Sequence, residues 1–398
     1  MVLSARKVNQ VRNILLVTNA YPSSKNLYRN GFVHRRVKAY QDCGFEVQVF
    51  YNHEPAYDPF SYHFDGVDVR VGDELELRRF LSQHNYDAFL IHFPEPSRVE
   101  PVLSAAREEL PVLIWIHGFE AEAWFRRWFN FTTTQSAMRA ALEKRDSYHK
   151  LQNEFLGRLI RENRKNLTFV NVSKWFQEMV VEPDLHAEIR QGEVIPNFVD
   201  EKLFTYKNKN PQDRKKILSL RPFASNKYAN DLTVAAIWEL SKRPFFSDLE
   251  FSIIGKGKLF ENVTRPITGF SNVHLEERFI SQKEIPSLHA NYGIFLCPTR
   301  FDSQGVSMCE AMSSGLVPIS TRTAAIPEFV EDGVTGLLAD PEDPKSIADK
   351  IEELYFDESE FLNLSRKASR SIHVKCGFNA TIGKEIELIE RSLLSSGK

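Results

Sequence analysis

The stretch Cys297-Pro298-Thr299-Arg300-Phe301-Asp302-Ser303-Gln304-Gly305-Val306-Ser307-Met308-Cys309-Glu310-Ala311-Met312-Ser313-Ser314-Gly315-Leu316-Val317-Pro318-Ile319 gathers the residue types that a phosphate-bearing ligand needs. An apolar strand ends at Cys297–Pro298, a polar loop holds Asp302, and Gly305 precedes a helix. The first N–H groups of a helix have no acceptor inside it, so that helix start is a ready anion site. Glu310 lies just over one turn further in, with its carboxylate still near the strand ends. A fixed carboxylate beside an anion-binding helix start suits a nucleoside diphosphate. The phosphates meet the amides and the ribose diol donates two hydrogen bonds to Glu310, each worth on the order of 1.5–3 kcal/mol.

Other chemistries lack their residues. No two Asp residues stand two apart, so there is no D-x-D metal clamp for a diphosphate, and H-E-x-x-H, G-x-S-x-G and the P-loop pattern are missing. The first strand is not followed by G-x-G-x-x-G, which leaves a nicotinamide dehydrogenase unsupported. Gly255-Lys256-Gly257 follows a strand, but a lone G-x-G is more often a tight turn than a phosphate loop.

These residues must be held by two domains, because 398 residues exceed one ordinary core. Short apolar runs alternate with helical patterns, the signature of βαβ units and parallel sheets. In the first half the strands fall at Asn13–Val17, Glu46–Phe50, Val67–Val71, Ala88–His92, Val112–His117 and Leu167–Val172, with a helix over Gly31–Cys43 closed by Gly44. After Val194-Ile195-Pro196-Asn197-Phe198-Val199-Asp200 the pattern restarts with strands Lys216–Leu220, Glu250–Ile254, Val273–Leu275, Ile294–Cys297 and Val317–Ser320. Helices are expected at Asp231–Lys242, Val306–Ser314, Pro344–Tyr355 and Phe378–Leu394. The reading is α/β, two Rossmann-like domains of doubly wound parallel sheet, with a ligand expected in a crevice at the carboxyl ends of the strands.

Lys plus Arg number 51 against 53 for Asp plus Glu, a balance that gives no reason to expect nucleic acid. The charge is nonetheless uneven. Residues 121–175 carry eleven bases and five acids, a local net of +6, and open with Trp124-Phe125-Arg126-Arg127-Trp128-Phe129-Asn130-Phe131. This segment reads either as a solvated helical face with inward aromatics or as a patch that meets an anionic acceptor or membrane headgroups. Cys43, Cys297, Cys309 and Cys376 form no C-x-x-C pair, which suits a reducing compartment with neither zinc site nor disulfide framework. Met1 to Arg12, with Arg6 and Lys7, runs into an apolar stretch too short for a signal-peptide core, and no run approaches a membrane span. The expected location is cytoplasmic, with peripheral contact at the inner membrane face through 121–175.

Asp302-x7-Glu310 followed by Ala-Met-Ser-Ser-Gly-Leu-Val-Pro resembles the E-x7-E signature of family 4 glycosyltransferases. Further segments match in the family's order. They are the linker Val194–Asp200, the strand and loop Leu218–Lys227 with Arg221 and Lys227 in the basic positions, Ile253–Gly257, and Gly333-Val334-Thr335-Gly336-Leu337-Leu338. The match is strong over about 194–355 and weaker before it.

The resemblance implies a GT-B fold with two domains facing a central cleft. It divides the chain into an acceptor-side domain 1–197, a nucleotide-sugar donor domain 198–375, and a helix in 376–398 packing back on the first domain. It implies a retaining transferase that needs no metal and no cofactor. Its partners are a nucleotide-sugar donor and a glycan or lipid-linked glycan acceptor. Glu310 then holds the donor ribose, Arg221 and Lys227 neutralise the diphosphate, and Gly305, Val306 and Ser307 offer amides to phosphate and sugar. His117 resembles the family's histidine that reaches the transferred sugar, Gly31 stands near the family's glycine-rich turn, and Gly255 lies in the turn after the second donor-domain strand. Ser307 also reads as a plain helix-start residue, and His117 as an ordinary core histidine.

Two positions depart from the pattern: Asp302 replaces the first Glu of the signature, and Ser303-Gln304 replaces a Gly and an aromatic in a loop that contacts the donor sugar in the family. These departures leave two alternatives, a nucleotide-sugar-binding protein without turnover and a GT-B sugar-nucleotide epimerase.

Overall fold

The computed structural model describes residues 12–24, 26, 29–53 and 58–396, and the basic stretch with Arg6 and Lys7 lies outside them. The chain forms two compact units: one takes the chain up to Trp124, then Leu142–Phe198 and Asn379 onward, and the other takes Phe125–Ala141 and Val199–Phe378. Segment 125–141 was expected within the first domain, but its contacts place it in the second unit.

The first unit is built on eight strands: β1 (Asn13–Thr18), β2 (Glu46–Asn52), β3 (Phe60–Phe64), β4 (Val67–Gly72), β5 (Ala88–His92), β6 (Val112–Ile116), β7 (Leu167–Asn171) and β8 (Gly192–Val194). Their order is β3-β4-β2-β1-β5-β6-β7-β8, parallel throughout except for the β3–β4 hairpin. β5 and β6 are buried at every position, as expected of a parallel sheet covered on both faces. β3 was not expected, although its Phe-Ser-Tyr-His-Phe run alternates aromatic and polar residues; none of the five is fully buried. A second signal lies in the turn: Asp65 and Gly66 both take positive φ (47° and 80°), the backbone that a two-residue hairpin requires.

The second unit holds β9 (Lys216–Leu220), β10 (Glu250–Gly255), β11 (Val273–Glu277), β12 (Ile294–Leu296), β13 (Val317–Thr321) and β14 (Leu337–Ala339). All pairs are parallel, in the order β11-β10-β9-β12-β13-β14. Counted within the unit this is the 3-2-1-4-5-6 order of dinucleotide-binding folds, and the strand order reverses between β9 and β12. In open sheets of this kind, ligands bind beyond the carboxyl ends of the two strands at such a reversal. The long helix Glu358–Cys376, missed in the sequence, covers the signature helix. Ser369 Oγ donates to the Ser313 carbonyl at 3.0 Å and Ser365 Oγ to the Gly315 carbonyl at 2.6 Å, so the Ser-Ser-Gly run is a close-packing surface. Among the described residues no helix is long and apolar enough to cross a membrane.

The helix Ile382–Ser396 belongs to the first unit and brings one buried carboxylate into its core. Glu385 accepts from Arg36 Nε at 3.0 Å, from Trp115 Nε1 at 3.3 Å and from the Tyr40 hydroxyl. Arg36 and Glu385 are both inaccessible to solvent. Removing one partner of such a pair strands the other charge, at a typical cost of about 3–5 kcal/mol. Glu385→Ala is therefore expected to destabilise the first unit by about that amount, read by denaturant unfolding followed through Trp115 fluorescence. Arg36→Met with Glu385→Leu is expected to recover most of the loss, and a single variant as stable as wild type would show that the pair carries no such weight.

Candidate functional site

β9 delivers Arg221 at its carboxyl end, and the next loop carries Lys227 and Tyr228. β12 delivers Thr299 through Gly305, and the helix Val306–Ser313 follows. These are the two strands flanking the reversal of strand order, so the fold itself brings together Arg221, Lys227, Asp302, Gly305, Val306, Ser307 and Glu310.

Arg221 is buried, yet its guanidinium is held by polar partners. Nη1 donates to Ser307 Oγ at 2.9 Å, Nη2 lies 3.9 Å from Asp302 Oδ2, and the group sits 4.9 Å above the Tyr228 ring. Lys227 Nζ lies 5.5 Å from the same ring, so one aromatic face serves two cations. The loop beneath Lys227 is pinned on two sides. Its carbonyl accepts from Thr299 Oγ1 and from the Arg300 N–H, both at 2.9 Å. On the other side Asn130 Oδ1 accepts from Ser225 Oγ at 3.0 Å and from the Asn226 N–H at 3.1 Å, while Asn226 Nδ2 donates to the Phe129 carbonyl at 2.9 Å. Tyr228, Thr299 and Asn130 were not singled out in the sequence. Tyr228 had a signal, its place directly after Lys227; the others are brought in only by the fold.

Asp302 does something different from a ligand-facing carboxylate. Its Oδ1 accepts from the Gly305 N–H at 2.9 Å and the Gln304 N–H at 3.3 Å, folding the short side chain back on its own loop. Burial pushes its carboxyl up, but the charges of Lys227 and Arg221 with the two N–H bonds outweigh that and hold it below the usual carboxylate range. An ionised Asp302 thus braces both the loop and Arg221. Gly305, at φ 81°, turns the chain into the helix in a conformation that favours glycine. Ser307 and Glu310, three apart on that helix, share a face, and Glu310 is buried. Gln304 is buried too, with Nε2 3.7 Å from Cys376 Sγ, so it anchors the loop inward. Cys309 packs there as well, its thiol pushed up by burial and then by Cys376.

Gly255 has a packing reason of its own: a Cβ there would fall on the Arg221 carbonyl oxygen. The first G of the G-x-G turn therefore lets β10 pass tightly under the chain that carries Arg221.

In the first unit, Gly31 opens the helix Gly31–Asp42 after β1, and His117 follows β6. His117 is buried, and its Nε2 lies 2.9 Å from Nδ1 of His92 at the end of β5. Glu120 turns back on the backbone, accepting from the His117 N–H at 2.5 Å and the Gly118 N–H at 3.2 Å. Burial, with Glu122 adding in the same sense, pushes the Glu120 carboxyl up to about 7 against those two bonds.

Two Rossmann-like parallel-sheet units are the architecture of the GT-B fold. Residues 214–357 match the family model described as Glycosyl transferases group 1. Among curated relatives, the chain is similar to N-acetyl-alpha-D-glucosaminyl L-malate synthase of Bacillus anthracis, 24% identical over 46% of this chain and 49% of the relative. The chain thus matches about half the length of that protein. An uncharacterized glycosyltransferase of Methanocaldococcus jannaschii is 22% identical over 82% of this chain and 84% of its own. Among solved structures, sucrose-phosphate synthase from Thermosynechococcus elongatus superposes with a TM-score of 0.72 at 14% identity, covering 97% of this chain and all of that one. The pneumococcal O-GlcNAc transferase solved with UDP and GlcNAc gives 0.68 at 12% identity, covering 96% and 99%.

Glu120 supplies a pH test. Its folded-state proton is held more tightly than in the unfolded chain, so the stability it brings is complete below about pH 4.5 and is lost as pH rises through about 7. Urea unfolding from pH 5 to 8 is expected to show wild type losing stability relative to Glu120→Gln. A difference between the two that stays flat with pH would show that this carboxyl does not titrate as described.

Proposed function

We propose that the protein transfers a sugar from a nucleotide-sugar donor to a glycan or lipid-linked glycan acceptor, with retention of configuration and without a metal ion. The observation that carries this reading is the Arg221 guanidinium fixed on Ser307 at the start of the signature helix, beside Lys227. Two cations and a helix start supply the positive charge that a departing diphosphate needs, where other folds use a divalent ion. Glu310, one turn on, accepts from the ribose hydroxyls.

In the reaction the bond between the sugar C1 and the β-phosphate oxygen breaks as Arg221 and Lys227 take up the growing negative charge. The acceptor hydroxyl oxygen bonds to C1 on the same face, and its proton passes to the leaving phosphate oxygen. The products are a nucleoside diphosphate and a glycoside. The family resemblance gives His117 the part of contacting the transferred sugar. Asp302 keeps Arg221 and the loop in place.

On the acceptor side, a cavity of about 620 Å³ in the first unit is lined by Tyr21, Arg29, Tyr51, Phe60 and Tyr62 among others, a composition suited to stacking sugar rings. The aromatic segment of the second unit divides: Phe129 and Phe131 are buried, while Phe125 and Trp128 are 50% and 51% exposed beside Arg126 and Arg127. That exposed half supports peripheral contact with anionic headgroups around a lipid-linked acceptor.

Calorimetry with UDP, GDP, ADP and TDP in EDTA is expected to show binding of at least one nucleotide. Glu310→Ala is expected to weaken it by roughly tenfold or more for each bond lost. Absence of binding to all four would overturn the donor site. Product analysis by NMR then separates transfer from epimerisation, and the anomeric coupling of the product reads retention. Binding without turnover would favour the non-catalytic alternative.

Asn130→Ala loosens the loop beneath Lys227 while leaving the ribose site untouched. It is expected to lower nucleoside diphosphate affinity several-fold and nucleoside affinity little. Equal losses for both ligands would show that Asn130 acts on the fold rather than on Lys227.

A further inference from the structure

The buried pair His92 and His117 is not explained by any step of the transfer reaction. We infer that His92 is a positioning residue that fixes His117 as one neutral tautomer, with its proton on Nδ1. The functional weight of this inference rests on the reading that His117 contacts the transferred sugar.

His92 Nδ1 and His117 Nε2 are 2.9 Å apart, so one donates and the other accepts. The His92 ring is immobilised: it stacks on Trp115 with centroids 4.8 Å apart and planes 21° from parallel. Trp115 is in turn tied through Nε1 to Glu385. Around His117 stand Phe32 and Phe93, with ring centroids at 5.1 and 4.6 Å, which leave the ring little freedom to flip.

The direction of the bond follows from the atoms behind His92. His92 Nε2 is buried without a hydrogen-bond partner among the described residues, and so are Nη1 and Nη2 of Arg36. Arg36 shares Glu385 with Trp115, on which His92 stacks, and its guanidinium lies 5.8 Å from the centre of the Phe32 ring that packs on His117. Burial holds both imidazoles well below their ordinary range, with the charge of His117 and then of Arg36 adding for His92 and that of Arg36 for His117. A proton on His92 Nε2 would add a third buried donor to two that already lack acceptors. A lone pair at that position instead answers the guanidinium charge. The proton of neutral His92 therefore sits on Nδ1 and is donated to His117 Nε2, which leaves the His117 proton on Nδ1.

Glu385 completes the arrangement from the helix Ile382–Ser396. It holds Arg36 through Nε and Trp115 through Nε1, and so keeps both the cation and the stacking surface of His92 in place. The outcome is a histidine that meets an oxygen-rich ligand as a neutral N–H donor.

Long-range proton–nitrogen correlation spectra of 15N-histidine-labelled protein test this directly, with His117→Gln assigning the signals. In wild type, His117 is expected to show a protonated Nδ1 and an unprotonated Nε2. His92→Phe is expected to abolish that preference and His92→Gln, whose amide N–H donates to the same nitrogen, to restore it. A wild-type His117 protonated on Nε2, or an Nδ1 proton that persists in His92→Phe, would overturn the inference. Should His92→Phe fail to fold, the wild-type spectrum alone decides the tautomer.

Kinetics separate this inference from the reading beneath it. His92→Phe is expected to lower kcat by on the order of 10- to 100-fold, at most the loss of one preorganised donor. KM for the donor should change little and His92→Gln should recover kcat. The expected tautomer with unchanged kcat would overturn the role of His117 in transfer while leaving its positioning by His92 intact.

Discussion

The bond from Arg221 Nη1 to Ser307 Oγ spans the place where the strand order of the second unit reverses, and the site depends on it. It ties the end of β9 to the start of the helix that follows β12. Without it the buried guanidinium would keep its charge partner Asp302 but lose the neutral acceptor that fixes its direction. With it, one cation is fixed near the helix N–H groups before any ligand arrives. Preorganisation of this kind is what makes electrostatic catalysis effective, because no reorganisation is left to be done as charge develops.

The unusual residues of the loop fit this constraint. A carboxylate one methylene shorter than glutamate reaches its own loop amides, and Asp302 does so while lying within 4 Å of Arg221, at 3.9 Å. Gln304 is buried against Cys376, which places its amide in the packing between the loop and the long helix Glu358–Cys376. The departures from the family pattern thus have structural work of their own, and the positive character of the site comes from Arg221 and Lys227.

The first unit solves a related problem with the opposite arrangement. There a single buried carboxylate, Glu385, collects donors from Arg36, Tyr40 and Trp115. Because Glu385 comes from the far end of the chain, the last helix is part of that unit's polar core, and the histidines beside it inherit their environment from a residue hundreds of positions away. In the first unit Arg36, Tyr40 and Glu385 stand on helices, whereas in the second the polar groups follow the carboxyl ends of strands, where parallel sheets leave backbone and side chains available.

The sequence by itself pointed to the parallel architecture, because apolar runs as short as Ala88–His92 and Val112–Ile116, alternating with helical patterns, read as strands buried on both faces. It also marked out the cluster Arg221, Lys227, Gly305, Ser307 and Glu310, which sit at fixed offsets from strand ends and a helix start. The hairpin strand β3 went unread although Phe60, Tyr62 and Phe64 alternate with Ser61 and His63 and an Asp-Gly turn follows; the run is short and none of its residues is fully buried. What the tertiary structure decided were pairings between distant residues. Examples are Asn130 under the Lys227 loop, His92 against His117, Glu385 beneath Arg36, and the placing of 125–141 in the second unit. Local propensity records the conformation of a segment, whereas a hydrogen bond between residues far apart exists only once packing has brought both partners out of water.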